Sequence, residues 1–256
     1  MYQFVLCYLN LTDMHPIICK LGPFTVYSYG LMLALAFITG SFLLIQRAKK
    51  EEVAGDTAFN FAFLTFVWGV IGARIFYVIY NLLYYLKNPL EIIMLQYGGL
   101  SWFGGLIAGS IAGIFYLRNR KLAAYKMLDL FAPFVALAQA IGRLGCLLNG
   151  CCFGKESVFG IYSPAQKAIL LPTQIYSSLL LIVIFIVLRI LQEKPHKEGQ
   201  IFFIYLLLYS SKRFFIEFLR ADNPAVLWGL TLFQLLSIIV FFFSAVKLIL
   251  LIQKSK

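Results

Sequence analysis

Charge is what this 256-residue sequence has least of. Asp, Glu, Lys and Arg together make up 13% of it, against 61% apolar residues. Soluble globular chains are about a quarter charged and about half apolar. The deficit excludes an ordinary cytoplasmic enzyme, a disordered chain and a nucleic-acid-binding domain. Acidic residues are scarcer still, 11 against 22 basic ones, so there is no chain of carboxylates to couple ions in a transporter. Histidine occurs twice, at His15 and His196, both near expected interfaces. The five cysteines (Cys7, Cys19, Cys146, Cys151, Cys152) form no CxxC pair. Neither a disulfide framework nor a zinc site with recurring ligand spacing is expected, and no cofactor is implied. No Pro/Ser-rich linker, charge block or internal repeat divides the chain, which reads as one membrane domain over 1–256.

What is present is long apolar runs. A membrane-crossing helix needs about 20 mostly apolar residues. Seven stretches qualify: 24–45, 57–86, 100–117, 128–153, 173–188, 200–219 and 228–252. The first twenty residues lack the basic start and cleavage motif of a signal peptide. Residues 1–22 read as an interfacial arm. Basic residues crowd alternate loops: Arg47, Lys49 and Lys50; Arg118, Arg120, Lys121 and Lys126; Arg189, Lys194 and Lys197; then Lys254 and Lys256. The intervening loops hold only Lys87, then Lys155 and Lys167, then Arg220. The net charge of +11 therefore belongs beside anionic cytoplasmic lipid rather than on a polyanion. The predicted fold is an all-α integral membrane protein with about seven transmembrane helices, N-terminus out and C-terminus in. Irregular glycine-rich loops are expected near the outer face.

Arg74, Arg143, Arg213 and Glu217 lie inside these stretches. Each costs about 2.5–3.5 kcal/mol at mid-bilayer on insertion scales, so snorkelling or structural pairing competes with function for every one. Depth favours function. At about 1.5 Å per residue, Arg74, Arg143 and Arg213 are reached about 26, 23 and 20 Å from the basic ends of their spans. Tyr29 and Gly99 to Gly105 begin near the same outer level. Independent snorkelling does not require this agreement, whereas a cationic cavity open to the outer leaflet does. Arg213, Glu217 and Arg220 share one helix face at i, i+4 and i+7 and can grip a phosphate. Two glycine-rich stretches, Gly98 to Gly105 and Gly142 to Gly154, read as irregular backbone lining a cavity. Gly109 and Gly113 read as helix-packing positions.

Several segments together resemble the bacterial prolipoprotein diacylglyceryl transferases, over about Gly22 to Ile252. They are Tyr27-Ser28-Tyr29-Gly30-Leu31-Met32; the GG-x-x-x-x-GG stretch from Gly98 to Gly105; Gly142-Arg143-Leu144-Gly145 followed by Leu148-Asn149-Gly150 and Gly154; Pro172-Thr173-Gln174-Ile175-Tyr176; and the Tyr209, Arg213, Phe214, Glu217, Phe218, Arg220 pattern. The resemblance implies diacylglyceryl transfer from phosphatidylglycerol to the lipobox cysteine of exported prolipoproteins, with release of glycerol phosphate. It implies a bacterial plasma (inner) membrane location, the active site facing the outer leaflet.

On that resemblance Arg143 and Arg213 are the expected catalytic residues, stabilising charge on the leaving phosphate. Expected substrate contacts are Tyr29, Gly104, Gly105, Asn149, Gly154, Gln174, Tyr176, Tyr209, Glu217 and Arg220, with Glu217 orienting the arginines. The expected partners are phosphatidylglycerol, lipobox signal peptides and the bilayer. The chain departs from the family at Phe103 and Leu171, where histidine is usual, at Ser177, where glutamate is usual, and at Cys146 and Cys151 for asparagine and glutamate. The base that ionises the substrate thiol is thus left open between Tyr29, Glu217 and the arginine field. The cysteines are open between packing or a local disulfide, a covalent relay through Cys151, and neutral small-residue substitution. A headgroup-binding homologue without catalysis is the alternative function; a transporter and a thiol oxidoreductase fit less of the pattern.

Overall fold

The computed structural model describes residues 5–7, 17–21, 24–94, 98–163 and 166–253. The chain forms β1 (Val5–Cys7), β2 (Ile17–Leu21), β3 (Phe24–Tyr27), α1 (Ser28–Lys50), α2 (Gly55–Tyr80), α3 (Leu82–Lys87), α4 (Trp102–Asn119), α5 (Ala124–Leu148), β4 (Glu156–Ser163), β5 (Ala168–Leu170), α6 (Thr173–Gln192), α7 (Gln200–Glu217), β6 (Ala225–Leu227), β7 (Leu230–Thr231) and α8 (Leu232–Gln253). Each of the seven apolar stretches contains one long helix. Five of these, α1, α2, α5, α6 and α8, are long and apolar enough to cross a membrane. The other two are diluted: α4 by Gly104, Gly105, Gly109 and Gly113, and α7 by Lys212, Arg213 and Glu217.

Boundaries move where local chemistry intervenes. The second stretch, read to residue 86, breaks at Asn81 between α2 and α3. The fourth, read as 128–153, starts at Ala124 and stops at Leu148. Three small antiparallel sheets join the helices: β1-β2-β3, β4-β5 and β6-β7. Within the first, Val5 pairs with Leu21 and Lys20 with Thr25, so β1 and β2 of the expected interfacial arm are strands. His15 and the rest of that arm lie outside the described residues.

The chain divides into two compact units, residues 1–40 with 128–256, and residues 41–127. In the first, Ala132, Ala136 and Ala140 recur every fourth residue on α5 and pack with Leu181, Ile184 and Leu188 of α6 and Ile201 and Tyr205 of α7. Small side chains on one face let helices approach closely without lipid between them. Pro133 interrupts the α5 ladder; having no N–H, it cannot serve the carbonyl of Asp129 four residues earlier. Gln192 Nε2 of α6 donates to that carbonyl instead, at 2.7 Å. The Asp129 carboxylate in turn accepts from the backbone N–H groups of Gly199 and Phe202, and so satisfies the start of α7. One acid thus fastens α7 to α5.

The second unit is built on glycine. A Cβ at Gly72 would lie 2.2 Å from Ala108 Cβ and 2.6 Å from Gly104 O, and one at Gly109 would lie 3.0 Å from Thr65 O. Helices α2 and α4 are therefore in backbone contact. Tyr116 Oη closes one end by donating to Thr57 O at 3.3 Å. At the other end Arg74 donates to the carbonyls of Glu91, Ile92, Met94, Gly98 and Gly99.

Candidate functional site

The polar residues of the first unit gather where α5 ends, α6 begins and α7 ends. Arg143 lies one turn and a half before the α5 terminus. Asn149 follows that terminus, its N–H still bonded to Gly145 O at 3.0 Å. The irregular backbone expected over 142–154 starts only here, because residues 142–148 complete the helix. Gly145 is helical and close-packed: a Cβ there would meet Met32 Cβ at 3.0 Å and Tyr29 Cδ2 at 3.4 Å. This packing sets Tyr29, at the start of α1, beside Arg143 and the cysteines that follow it.

Gly154 ties the post-α5 loop to both neighbouring elements. Its N–H donates to Leu171 O at 2.8 Å, and the next N–H, of Lys155, donates to Leu219 O at 2.8 Å. It forms a β-bridge with Arg220. An added Cβ would lie 2.6 Å from Leu219 O and 2.8 Å from both Leu171 Cβ and Thr173 Cγ2. No side chain fits, so glycine here fixes Arg220 against the loop carrying Asn149. Gln174 reinforces the same junction from the buried first turn of α6, donating Nε2 to Cys151 O at 2.6 Å, while its Oε1 is buried without a hydrogen bond among the described residues.

Glu217 organises the cations at the end of α7. Its Oε2 lies 3.0 Å from Arg213 Nη2 and 3.9 Å from Arg220 Nε. Its Oε1 accepts from Asn223 Nδ2 at 2.7 Å and Thr231 Oγ1 at 3.0 Å. The carboxylate therefore joins two arginines to the β6-β7 hairpin. Arg220 also pairs with Asp222 through Nε and Nη2, and Arg213 lies over the Phe233 ring at 4.5 Å. Arg143 has no ion pair or side-chain hydrogen bond among the described residues.

Sequence reasoning missed Lys212. One residue from Arg213 is about 100° around a helix, so counting faces sets it off the Arg213–Glu217–Arg220 stripe. In the fold Lys212 is buried, with Nζ 4.7 Å above the Tyr209 ring. Arg143, Arg213 and Arg220 all act electrostatically on its ammonium, and Arg143 and Arg220 act on Arg213. Three guanidiniums thus meet two carboxylates, Glu217 and Asp222, leaving an excess of positive charge around the buried Lys212. Such an excess calls for an anion, because uncompensated buried charge is costly.

Three cysteines, dispersed in reading as packing or relay residues, also come together. The Sγ atoms of Cys146, Cys151 and Cys152 lie within 4.8 Å of one another. The Cys151 thiol donates to Cys146 O at 3.6 Å, and the Arg220 and Arg143 guanidiniums act electrostatically on the Cys152 thiol.

Other expected site residues are engaged differently. Tyr176 is half-buried on α6 and makes no side-chain hydrogen bond among the described residues. Gly104 and Gly105, read as part of an irregular loop, are helical: α4 begins at Trp102, and their Cβ positions abut Gly72 O at 2.4 Å and Gly69 O at 3.2 Å. Helix packing accounts for both. Only Gly98 and Gly99 keep the irregular backbone, with φ of +77° and +80°.

Comparison with known proteins adds a family. A family model described as prolipoprotein diacylglyceryl transferase matches residues 16–250. A protein of Clostridium tetani named phosphatidylglycerol–prolipoprotein diacylglyceryl transferase is 35% identical over 217 residues, covering 82% of this chain and 86% of the relative. Relatives of the same name from Streptococcus mutans and Streptococcus agalactiae are 35% and 32% identical, over 82% and 92% of this chain and 85% and 95% of their own lengths.

Proposed function

Because the chain belongs to the prolipoprotein diacylglyceryl transferase family of multi-pass membrane proteins, we propose that it moves the diacylglyceryl group of phosphatidylglycerol onto the lipobox cysteine thiol of exported lipoprotein precursors, releasing glycerol phosphate. The observation that carries this reading is the gathering of the Arg143, Arg213 and Arg220 guanidiniums around the buried Lys212. The substrate thiolate attacks the glyceryl carbon, the carbon–oxygen bond breaks, and the electron pair passes to the phosphate. Charge grows on the phosphate oxygens as that happens. Guanidiniums fixed beforehand by Glu217 stabilise it without reorganising.

In this scheme Arg143, which no carboxylate engages among the described residues, and Arg213 are the catalytic pair. Arg220 contacts the headgroup, and Asn149, Gln174, Tyr29 and Tyr209 line the glycerol and thiol side. Glu217 is a positioning residue whose oxygens are already committed. We take all seven long helices as crossings of a bacterial plasma membrane, N-terminus out, with this site at the outer leaflet, where both the lipid and the exported precursor arrive. The alternation of basic loops supports that orientation. Complementation of a strain depleted of its own transferase tests the reading: the parent chain rescues growth and lipoprotein maturation, and Arg143→Ala and Arg213→Ala do not. Equal rescue by either variant, at equal membrane abundance, defeats the site assignment. No rescue by the parent leaves a headgroup-binding protein without catalysis.

A further inference from the structure

The cysteine group has no part in the headgroup cradle, yet its backbone is held firmly. Cys151 N donates to Cys146 O at 3.1 Å. Gln174 Nε2 and Thr173 Oγ1, both from the first turn of α6, donate to the carbonyls of Cys151 and Cys152 at 2.6 and 2.7 Å. Cys152 sits at φ +64°, a conformation that a side-chain-bearing residue keeps only when its surroundings impose it. Packing of three small apolar groups does not require that. The imposed backbone turns three sulfurs toward one another, within 4.8 Å.

That spacing suits a metal ion. At a metal–sulfur distance of about 2.3 Å, sulfurs stand about 4.0 Å apart around a three-coordinate centre and about 3.8 Å apart around a tetrahedral one. Among the described residues no histidine or carboxylate joins the group. An all-sulfur donor set selects thiophilic ions over magnesium or calcium. Three thiolates around a divalent ion carry a net negative charge, and Arg220 and Arg143 act on Cys152 to offset it. Outer partners of this kind tune the affinity of a site.

We propose that Cys146, Cys151 and Cys152 bind one Zn²⁺ ion and leave its fourth position open to the thiol of the incoming lipobox cysteine. Three protein ligands with an open fourth position is the arrangement of catalytic rather than structural zinc. A thiol that coordinates zinc is deprotonated outright, its proton passing to water. The metal-bound sulfur then attacks the glyceryl carbon, the carbon–oxygen bond breaks, and the phosphate leaves with the electron pair. The role of the fourth position rests on the transferase reading above; the three-thiolate site does not.

The test uses the full chain purified in detergent under reducing conditions. Metal analysis after equilibration with Zn²⁺ is expected to give one ion per chain, and none in a Cys146→Ser, Cys151→Ser, Cys152→Ser variant. With Co²⁺ in place of Zn²⁺, the thiolate-to-cobalt absorption is expected to change when a lipobox peptide is added and to stay unchanged with the peptide's Cys→Ser counterpart. Chelation is expected to slow transfer by about 10²-fold or more, the scale of losing thiol activation. A parent chain that binds no zinc, or whose mass shows a disulfide formed among the three under these conditions, overturns the site. Zinc bound with transfer unaffected by chelation, or an identical cobalt response to both peptides, overturns the role of the fourth position. Stoichiometric zinc in a chain that transfers nothing confirms the metal site and refutes the transferase reading instead.

Discussion

Gly154 and Glu217 each hold the cationic end of α7 through contacts within the protein. The first brings the N–H groups of residues 154 and 155 against Leu171 O and Leu219 O. The second divides its oxygens between arginines and the β6-β7 hairpin. Both therefore set where Arg220 and Arg213 stand relative to Arg143. Gly154→Ala is expected to cut diacylglyceryl transfer by about 10²-fold, since displacing a preorganised charge by about 1 Å costs that much, while membrane abundance stays near that of the parent. Rates of purified variants at equal protein check it; an unchanged rate shows that the bridge to Arg220 is dispensable. At this scale the sequence was uneven. Arg143, Arg213 and Glu217 were legible because a charge inside an apolar run stands out; Arg220, read onto the same helix face as Arg213, instead follows the end of α7 and bridges Gly154. Lys212 stood out equally, but its neighbourhood depends on Tyr209 and on α5, which helical periodicity does not reveal. The meeting of Cys146 with Cys151 and Cys152 depends on the turn after Leu148, and no sequence period encodes a turn of that shape.

Among elements, the α2–α4 pair shows how a glycine-rich stretch misleads. Gly98 to Gly105 read as one loop because paired glycines are poor helix formers. The helix begins in the middle of it, at Trp102, because Gly104 and Gly105 continue the series Gly109 and Gly113 along the face that meets Gly69 and Gly72. The small-residue spacing was present on both helices, but recognising it requires knowing that they are partners. Gly72→Leu forces the helices apart and is expected to destabilise the protein by about 1–3 kcal/mol, the usual cost of overpacking. A lowered thermal midpoint in detergent, against an unchanged one for the exposed Ile79→Leu, is the measurement. Arg74 is a different case. Depth along its span aligns it with Arg143 and Arg213, and its donors are spent on carbonyls between residues 91 and 99. That loop folds around it, which depth along a helix cannot foretell.

At the scale of the whole molecule, the long apolar stretches were the most legible feature, since each holds one long helix. The small sheets were not, because strands of two to eight residues carry too little pattern to read. The proposed orientation predicts that a single cysteine placed at Lys121 or Lys194, in a background lacking the native cysteines, resists a membrane-impermeant maleimide in intact cells and reacts after lysis. One placed at Lys87 or Lys167 reacts in intact cells. The reverse pattern inverts the topology and moves the cationic site to the wrong leaflet. The central claim, that guanidiniums from separate helices hold the phosphate of a lipid while it departs, is tested most directly by glycerol phosphate release from labelled phosphatidylglycerol in the presence of a lipobox peptide. The account predicts release by the parent chain and a loss of about 10²–10³-fold in Arg143→Ala and in Arg213→Ala, the cost of removing one preorganised donor. Release by either variant at the parent's rate would contradict it.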